Sequence, residues 1–128
     1  MTENELSRII VDSAYKIHTT LGPGLFESVY EVTMEHELQR RGCRVVRQRG
    51  IPVFYEDVKL KLGFRADLII DGKVILEVKS IEALGPIHAM QLRTYLRLTD
   101  LHLGLLINFN VCLIKDGIRR VVNNLDGS

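Results

Sequence analysis

The chain has 128 residues, 46% of them hydrophobic and 26% charged, with a formal net charge of +1. That length suits a single domain, residues 1–128, able to bury a core without metal or disulfide staples. Cys43 and Cys112 lack any ligand-like spacing, which argues against a zinc or disulfide scaffold; no apolar run is long enough to span a bilayer, and the acidic start is unlike a secretory signal, so a cytoplasmic protein with no membrane partner is expected.

Leu6, Ile9, Ile10, Ala14, Ile17 and Leu21 form the stripe of an amphipathic helix, preceded by the capping-box pair Thr2 and Glu5 and stopped by Gly22-Pro23-Gly24. A second helix is expected from about Leu25 to Arg41, with Phe26, Tyr30, Met34 and Leu38 on one face and Gly42 closing it. Five arginines, Arg40, Arg41, Arg44, Arg47 and Arg49, crowd the stretch that follows; such a run is more often a solvated surface than a phosphate track. The period then changes. Val45-Val46, Ile51 to Tyr55 and Lys59 to Leu62 read as short strands, followed by Phe64 to Ile70 and Lys73 to Lys79 around Asp71-Gly72. A third helix should start at Pro86 and run to about Leu98. Leu101 to Asn108, Val111 to Lys115 and Ile118 to Val122 close the chain as strands, with Asn108 and Asn110 organising a turn. Two helices, a run of strands, a third helix and three closing strands imply an α/β or α+β fold with helices packed on a sheet.

The hairpin from Phe64 to Lys79 carries three ionisable residues inside strands. A two-residue turn at Asp71-Gly72 would pair Asp67 with Leu76 and put Asp67 on the face opposite Glu77. A three-residue bulged loop instead places Ala66, Leu68, Ile70, Val74, Leu76 and Val78 on one core face, and Asp67, Glu77 and Lys79 on the other. Burying an apolar side chain is worth about 1.5–3 kcal/mol, so six of them outweigh a turn preference. Two carboxylates and a lysine on one face suit metal-assisted phosphodiester hydrolysis, since magnesium takes one or two carboxylates, waters and a substrate phosphate. The same loose spacing also suits a salt bridge on a solvated strand face.

Asp67 followed by Glu77-Val78-Lys79 resembles the D…E-x-K core of the PD-(D/E)XK nuclease superfamily, with Ala66 where the name has proline. Gly24-Leu25-Phe26-Glu27-Ser28-Val29-Tyr30 resembles the signature of the GxxExxY protein family, and Gln91 to Tyr95 is similar to the Q-x-x-x-Y motif of RecB-type nucleases. The run Leu105 to Asn110 and the terminal Lys115 to Arg120 look like the same family, so the resemblance spans about Ile9 to Asn123. It implies a restriction-endonuclease-like fold, a mixed central sheet flanked by helices. It further implies Asp67, Glu77 and Glu27, with the Val78 carbonyl, as ligands of Mg2+ or Mn2+, and Lys79 as the catalytic lysine. Gln91 and Tyr95, one turn apart, would contact substrate, which for this superfamily is nucleic acid and here expected to be DNA.

Bland readings stand beside these. Glu27 could be a helical acid favoured by the N-terminal dipole, Tyr30 a core residue with one hydroxyl partner, and Gln91 and Tyr95 helix residues packing on the sheet. His88 reads as structural. The alternative to a nuclease is a non-catalytic nucleic-acid-binding or assembly module. A homodimer is a further expectation, because the first helix is richer in apolar residues than one sheet contact requires.

Overall fold

The structure is a computed structural model that describes residues 1–125, without the side chain of Leu62. Its elements are α1 (Glu3–Leu21), α2 (Glu27–Arg40), β1 (Val45–Tyr55), β2 (Val58–Ile70), β3 (Val74–Lys79), α3 (Pro86–Thr99), β4 (Leu103–Asn108), a 3-10 turn (Ile114–Gly117) and β5 (Ile118–Val122). The strands form one five-stranded sheet in the order β1-β2-β3-β4-β5. β1, β2 and β3 are an antiparallel meander; α3 then carries the chain across to β4, which is parallel to β3, and β5 returns antiparallel. This is a mixed sheet flanked by helices, as a restriction-endonuclease-like fold requires.

Two cores lie on the two sides of the sheet. Leu68, Ile70, Val74, Leu76 and Val78 pack with α1 and α2, while Ile69 and Ile75 pack with Leu92 and Leu96 of α3. The β2–β3 register is the bulged one: Leu68 faces Leu76 and Ile70 faces Val74, around a loop of Asp71, Gly72 and Lys73. Asp71 and Gly72 both take positive φ, 51° and 67°, which lets the chain reverse at that length. One member of the expected set departs from it. Ala66 belongs to the α3-side core, not to that of Leu68. The alternation breaks between them, opposite Gln48, whose left-handed φ of 55° marks an irregularity in β1.

Other expectations are corrected in the same way. The short strands at 45–46 and 51–55 are one strand, and those at 59–62 and 64–70 another. The intervening Arg47 to Gly50 pair with β2 without burying either face, so a continuous ladder has no apolar alternation to announce it. Val111 to Lys115 is not a strand but a bend leading into the 3-10 turn, because the chain must cross back from the end of β4 within a few residues. Gly117 makes the crossing feasible, as any Cβ there would lie 2.1 Å from the Asn108 carbonyl oxygen. Phe26 does not join the Tyr30, Met34 and Leu38 stripe; it precedes the helix and is 82% exposed.

The capping box on α1 is formed, with Thr2 Oγ1 accepting from Glu5 N–H and Glu5 Oε1 from Thr2 N–H. Of the apolar residues of α1, Leu6, Ile10, Ala14 and Ile17 are buried and Ile9 and Val11 pack at the margin of the same core, while Tyr15 and Leu21 are exposed. Three of the crowded arginines are engaged in ion pairs, Arg40 and Arg41 with Glu37, Arg41 also with Asp12, and Arg47 with Glu31 and Glu35.

Candidate active site

The site forms where the β2–β3 ladder opens. The last β2–β3 pair is Leu68 with Leu76; beyond it the Asp67 carboxylate takes the place of a backbone acceptor, and Asp67 Oδ2 receives the Val78 N–H at 2.9 Å. An extended residue sends its N–H and C=O to the same side of the strand, so the Val78 carbonyl also faces the Asp67 side. β3 is central, paired with β4 along its whole length from Val74–Leu103 to Lys79–Asn108. Glu77 is therefore held in the middle of the sheet and is only 5% exposed.

Glu77 has an unusual environment for a carboxylate. Its Oε1 is buried and has no hydrogen-bond partner among the described residues. Burial first, and then the adjoining Asp67 carboxyl, push its pKa up to about 9, with Lys79 pulling the other way. A buried acid beside a second acid holds a proton at neutral pH unless a cation takes the proton's place. Among the described residues, no three His, Cys, Asp or Glu side chains are grouped as a ready cage for a metal. The donor set nevertheless fits a hard, partly hydrated cation. Asp67 and Glu77 present adjacent carboxylates, one oxygen is left unpartnered, and magnesium ordinarily fills the rest of its shell with water and substrate oxygens.

The remaining residues come in from the two helix layers. Lys79 follows Glu77 by two along β3, on the same face, and is half-buried. Its carbonyl accepts the Phe109 N–H at 2.9 Å, which anchors the end of the strand. Tyr95 of α3 stacks on Phe64 of β2, ring centroids 3.8 Å apart and planes 8° from parallel. Burial, followed by the negative charges of Glu77 and Asp67, raises the Tyr95 pKa, and Gln91 beside it acts in the opposite sense. Tyr95 thus lies within the field of the two carboxylates, and Gln91, one turn before it on α3, is exposed.

Glu27 is placed differently. Its Oε2 accepts the Ser80 N–H at 3.2 Å, one residue beyond Lys79, so it ties α2 to the end of β3. The rest of its signature works the same joint. The Tyr30 hydroxyl donates to the Gly22 carbonyl at 2.6 Å and accepts the Leu25 N–H at 3.1 Å, while its ring stacks on Phe109. Tyr30 therefore has two hydroxyl partners rather than one. Ser80 Oγ donates to the Leu25 carbonyl at 2.6 Å, closing the clamp from the strand side. Gly24, at φ 97°, supplies the turn that this clamp encloses.

One acid at the site was not singled out from the sequence. Glu31, one turn after Glu27, is buried, bonded at 2.6 Å by Gln48 Nε2, with Arg47 3.6 Å away. Burial raises its pKa and the Asp67 charge adds to the rise, against the Gln48 hydrogen bond and the Arg47 charge. It is thus the α2 acid whose field meets Asp67. Its signal was available: an acid four residues from Glu27 and next to Tyr30 lies on the inward face of α2. Asn108 organises the turn after β4 as expected, its Oδ1 accepting the N–H two residues on, and it also holds the segment after β3. Its Oδ1 accepts from Ile81 and Asn110 N–H, and its Nδ2 donates to the Ile81 carbonyl. His88, read as structural, caps α3 by accepting the Gly85 N–H on Nδ1.

Compared with known families, the chain matches the sequence model of the PD-(D/E)XK nuclease superfamily over residues 4–121. No curated protein and no solved structure matches it.

Proposed function

The chain belongs to the PD-(D/E)XK nuclease superfamily, and from that premise we propose that it is a divalent-metal-dependent nuclease hydrolysing phosphodiester bonds in DNA. The observation that carries the reading is the pair of half-buried Asp67 and buried Glu77, with Glu77 Oε1 lacking a partner among the described residues and Lys79 on the same strand face. A carboxylate so placed costs stability unless it meets a cation, and a protein that only binds nucleic acid has no use for two acids beside a phosphate.

Asp67 and Glu77 would hold Mg2+ or Mn2+, with the Val78 carbonyl on the same side. When bound, the ion supplies Lewis-acid stabilisation of the phosphate and lowers the pKa of a bound water. The chain's own residues do the rest. Lys79 brings a positive charge to the phosphate or to the attacking water. Tyr95, braced by Phe64, and Gln91 contact the substrate from the α3 side. Glu27 acts by fixing the end of β3 through Ser80, which keeps Lys79 in register with the carboxylates. Glu31 adds a negative field to Asp67 and so favours a cation there. The Gly24, Glu27 and Tyr30 set, which resembles the GxxExxY signature, is on this reading a structural clamp for the catalytic strand.

The test is a cleavage screen over single-stranded, duplex, nicked and branched DNA with magnesium and with manganese. Cleavage that requires the metal and is lost in Asp67→Ala and in Lys79→Ala, both still folded, supports the reading. A folded protein that cuts none of these, or that cuts them equally well without Asp67, overturns it.

A further inference from the structure

Beyond Leu68, toward its tip, the β1–β2 ribbon is no longer paired with β3, which meets only Leu68 to Ile70 of β2. The register between the two strands shifts between Ile51 and Val53, where the ribbon is irregular. Around that irregularity lies an open cleft lined by Ile51, Gly63, Phe64, Lys59, Lys61 and Arg65. Gly63 is required there: any Cβ would fall 2.0 Å from the Ile51 carbonyl oxygen, so the cleft wall at this point is bare backbone.

Three cations converge on this concavity, all exposed, and among the described residues none of them is in an ion pair. Arg40, Arg41 and Arg47 nearby are, by contrast, each held by glutamates. The acids of the ribbon, Glu56 and Asp57, sit at its tip and do not line the cleft. Converging like charges repel, and an anion that bridges them removes the penalty. The cleft borders the candidate active site at Phe64. Its Phe64 is the ring on which Tyr95 stacks, and the β2–β3 register carried past its last pair sets Arg65 about level with Lys79.

We propose that Lys59, Lys61 and Arg65 form a phosphate-binding cleft that holds the nucleic-acid backbone a few nucleotides away from the bond being cut. The inference rests on the nuclease reading for its ligand, but its test is a binding measurement that does not depend on cleavage. Fluorescence anisotropy with labelled duplex and single-stranded oligonucleotides, in an Asp67→Ala background, gives affinity as a function of salt. Each phosphate contact contributes a log–log slope of about 0.9 on a duplex and about 0.7 on a single strand. The triple variant Lys59→Gln, Lys61→Gln, Arg65→Gln should therefore lower the slope by about 2.7 on duplex or about 2.1 on single-stranded DNA, and the two probes tell which form lies in the cleft. Glu56→Gln with Asp57→Asn should leave the slope unchanged. With Asp67 restored, the double variant Lys59→Gln, Lys61→Gln should raise KM on a long substrate while leaving cleavage of a dinucleotide, too short to reach those two lysines, as in the parent chain. Equal slopes for parent and triple variant on both probes would overturn the cleft while leaving the nuclease reading standing. A lowered slope in a chain that cuts nothing would keep the cleft and remove the reaction.

Discussion

Replacing Glu77 with glutamine should stabilise the metal-free protein at neutral pH. The folded-state pKa of Glu77 is raised from its ordinary 4.5 to about 9, so between those values the folded chain binds a proton that the unfolded chain has given up. Stability then falls as pH rises through that window, by about 1.4 kcal/mol per pH unit. At pH 7 the accumulated cost is about 3 kcal/mol, and it continues to grow toward pH 9. Glutamine carries no such charge and keeps the side-chain shape, so the variant should gain about that amount. For a domain of this size the melting temperature would rise by roughly 10 °C. Thermal melts of both proteins in chelator from pH 5 to pH 8 measure it. Glu31 is shifted in the same direction and gives both proteins a common decline, so the difference between the two curves isolates Glu77. The gap should be small at pH 5 and widen toward pH 8. Parallel curves, or a glutamine variant less stable at neutral pH, would refute the placement of a costly carboxylate in the centre of the sheet.

Three further substitutions probe the scaffold around the pair. Tyr30→Phe removes the donor to Gly22 and the acceptor for Leu25, and should cost about 1–3 kcal/mol in denaturant unfolding; a loss under about 0.5 kcal/mol would mean the clamp is dispensable. Asn108→Ala orphans the Ile81 and Asn110 N–H groups that its Oδ1 serves, while the Ile81 carbonyl keeps Asn110 Nδ2, and should cost about 1–3 kcal/mol by the same measurement, with a neutral result contradicting its role. Tyr95→Phe keeps the ring on Phe64 and should leave the melting temperature within a few degrees, yet lower kcat about tenfold, equivalent to about 1.4 kcal/mol. Unchanged turnover there would place the hydroxyl outside the substrate's reach.

The sequence was most legible where burial leaves no choice. The bulged loop at Asp71-Gly72-Lys73 followed from matching the apolar residues of β2 to those of β3, because slipping by one would expose them all. It fails at Ala66, since the local twist opposite Gln48 is set by a backbone irregularity that no hydrophobic pattern records. Edge strands were the weakest part for a related reason. Arg47 to Gly50 bury nothing, so β1 looked like two fragments joined by a loop. By strand and helix periods, Asp67, Glu77 and Lys79 could be placed on one face and Gln91 with Tyr95 on another, and only the family resemblance joins the two groups. Glu27 could be placed with neither by such periods, because its contact with Ser80 links positions far apart in the chain and depends on how α2 meets β3. Glu31 and the cleft of Lys59, Lys61 and Arg65 depend on the same tertiary detail, a helix face in one case and a bent ribbon in the other.

A cation site at Asp67 and Glu77 requires the pair to exchange a proton for a divalent cation. Calorimetric titration of manganese at pH 7, repeated in buffers of different ionisation enthalpy, counts the protons released as the metal binds. The parent chain should release close to one proton per ion bound, and Glu77→Gln should release none and bind more weakly. Binding with no proton released, or equal binding by the two chains, would contradict the claim that these two carboxylates form the cation site.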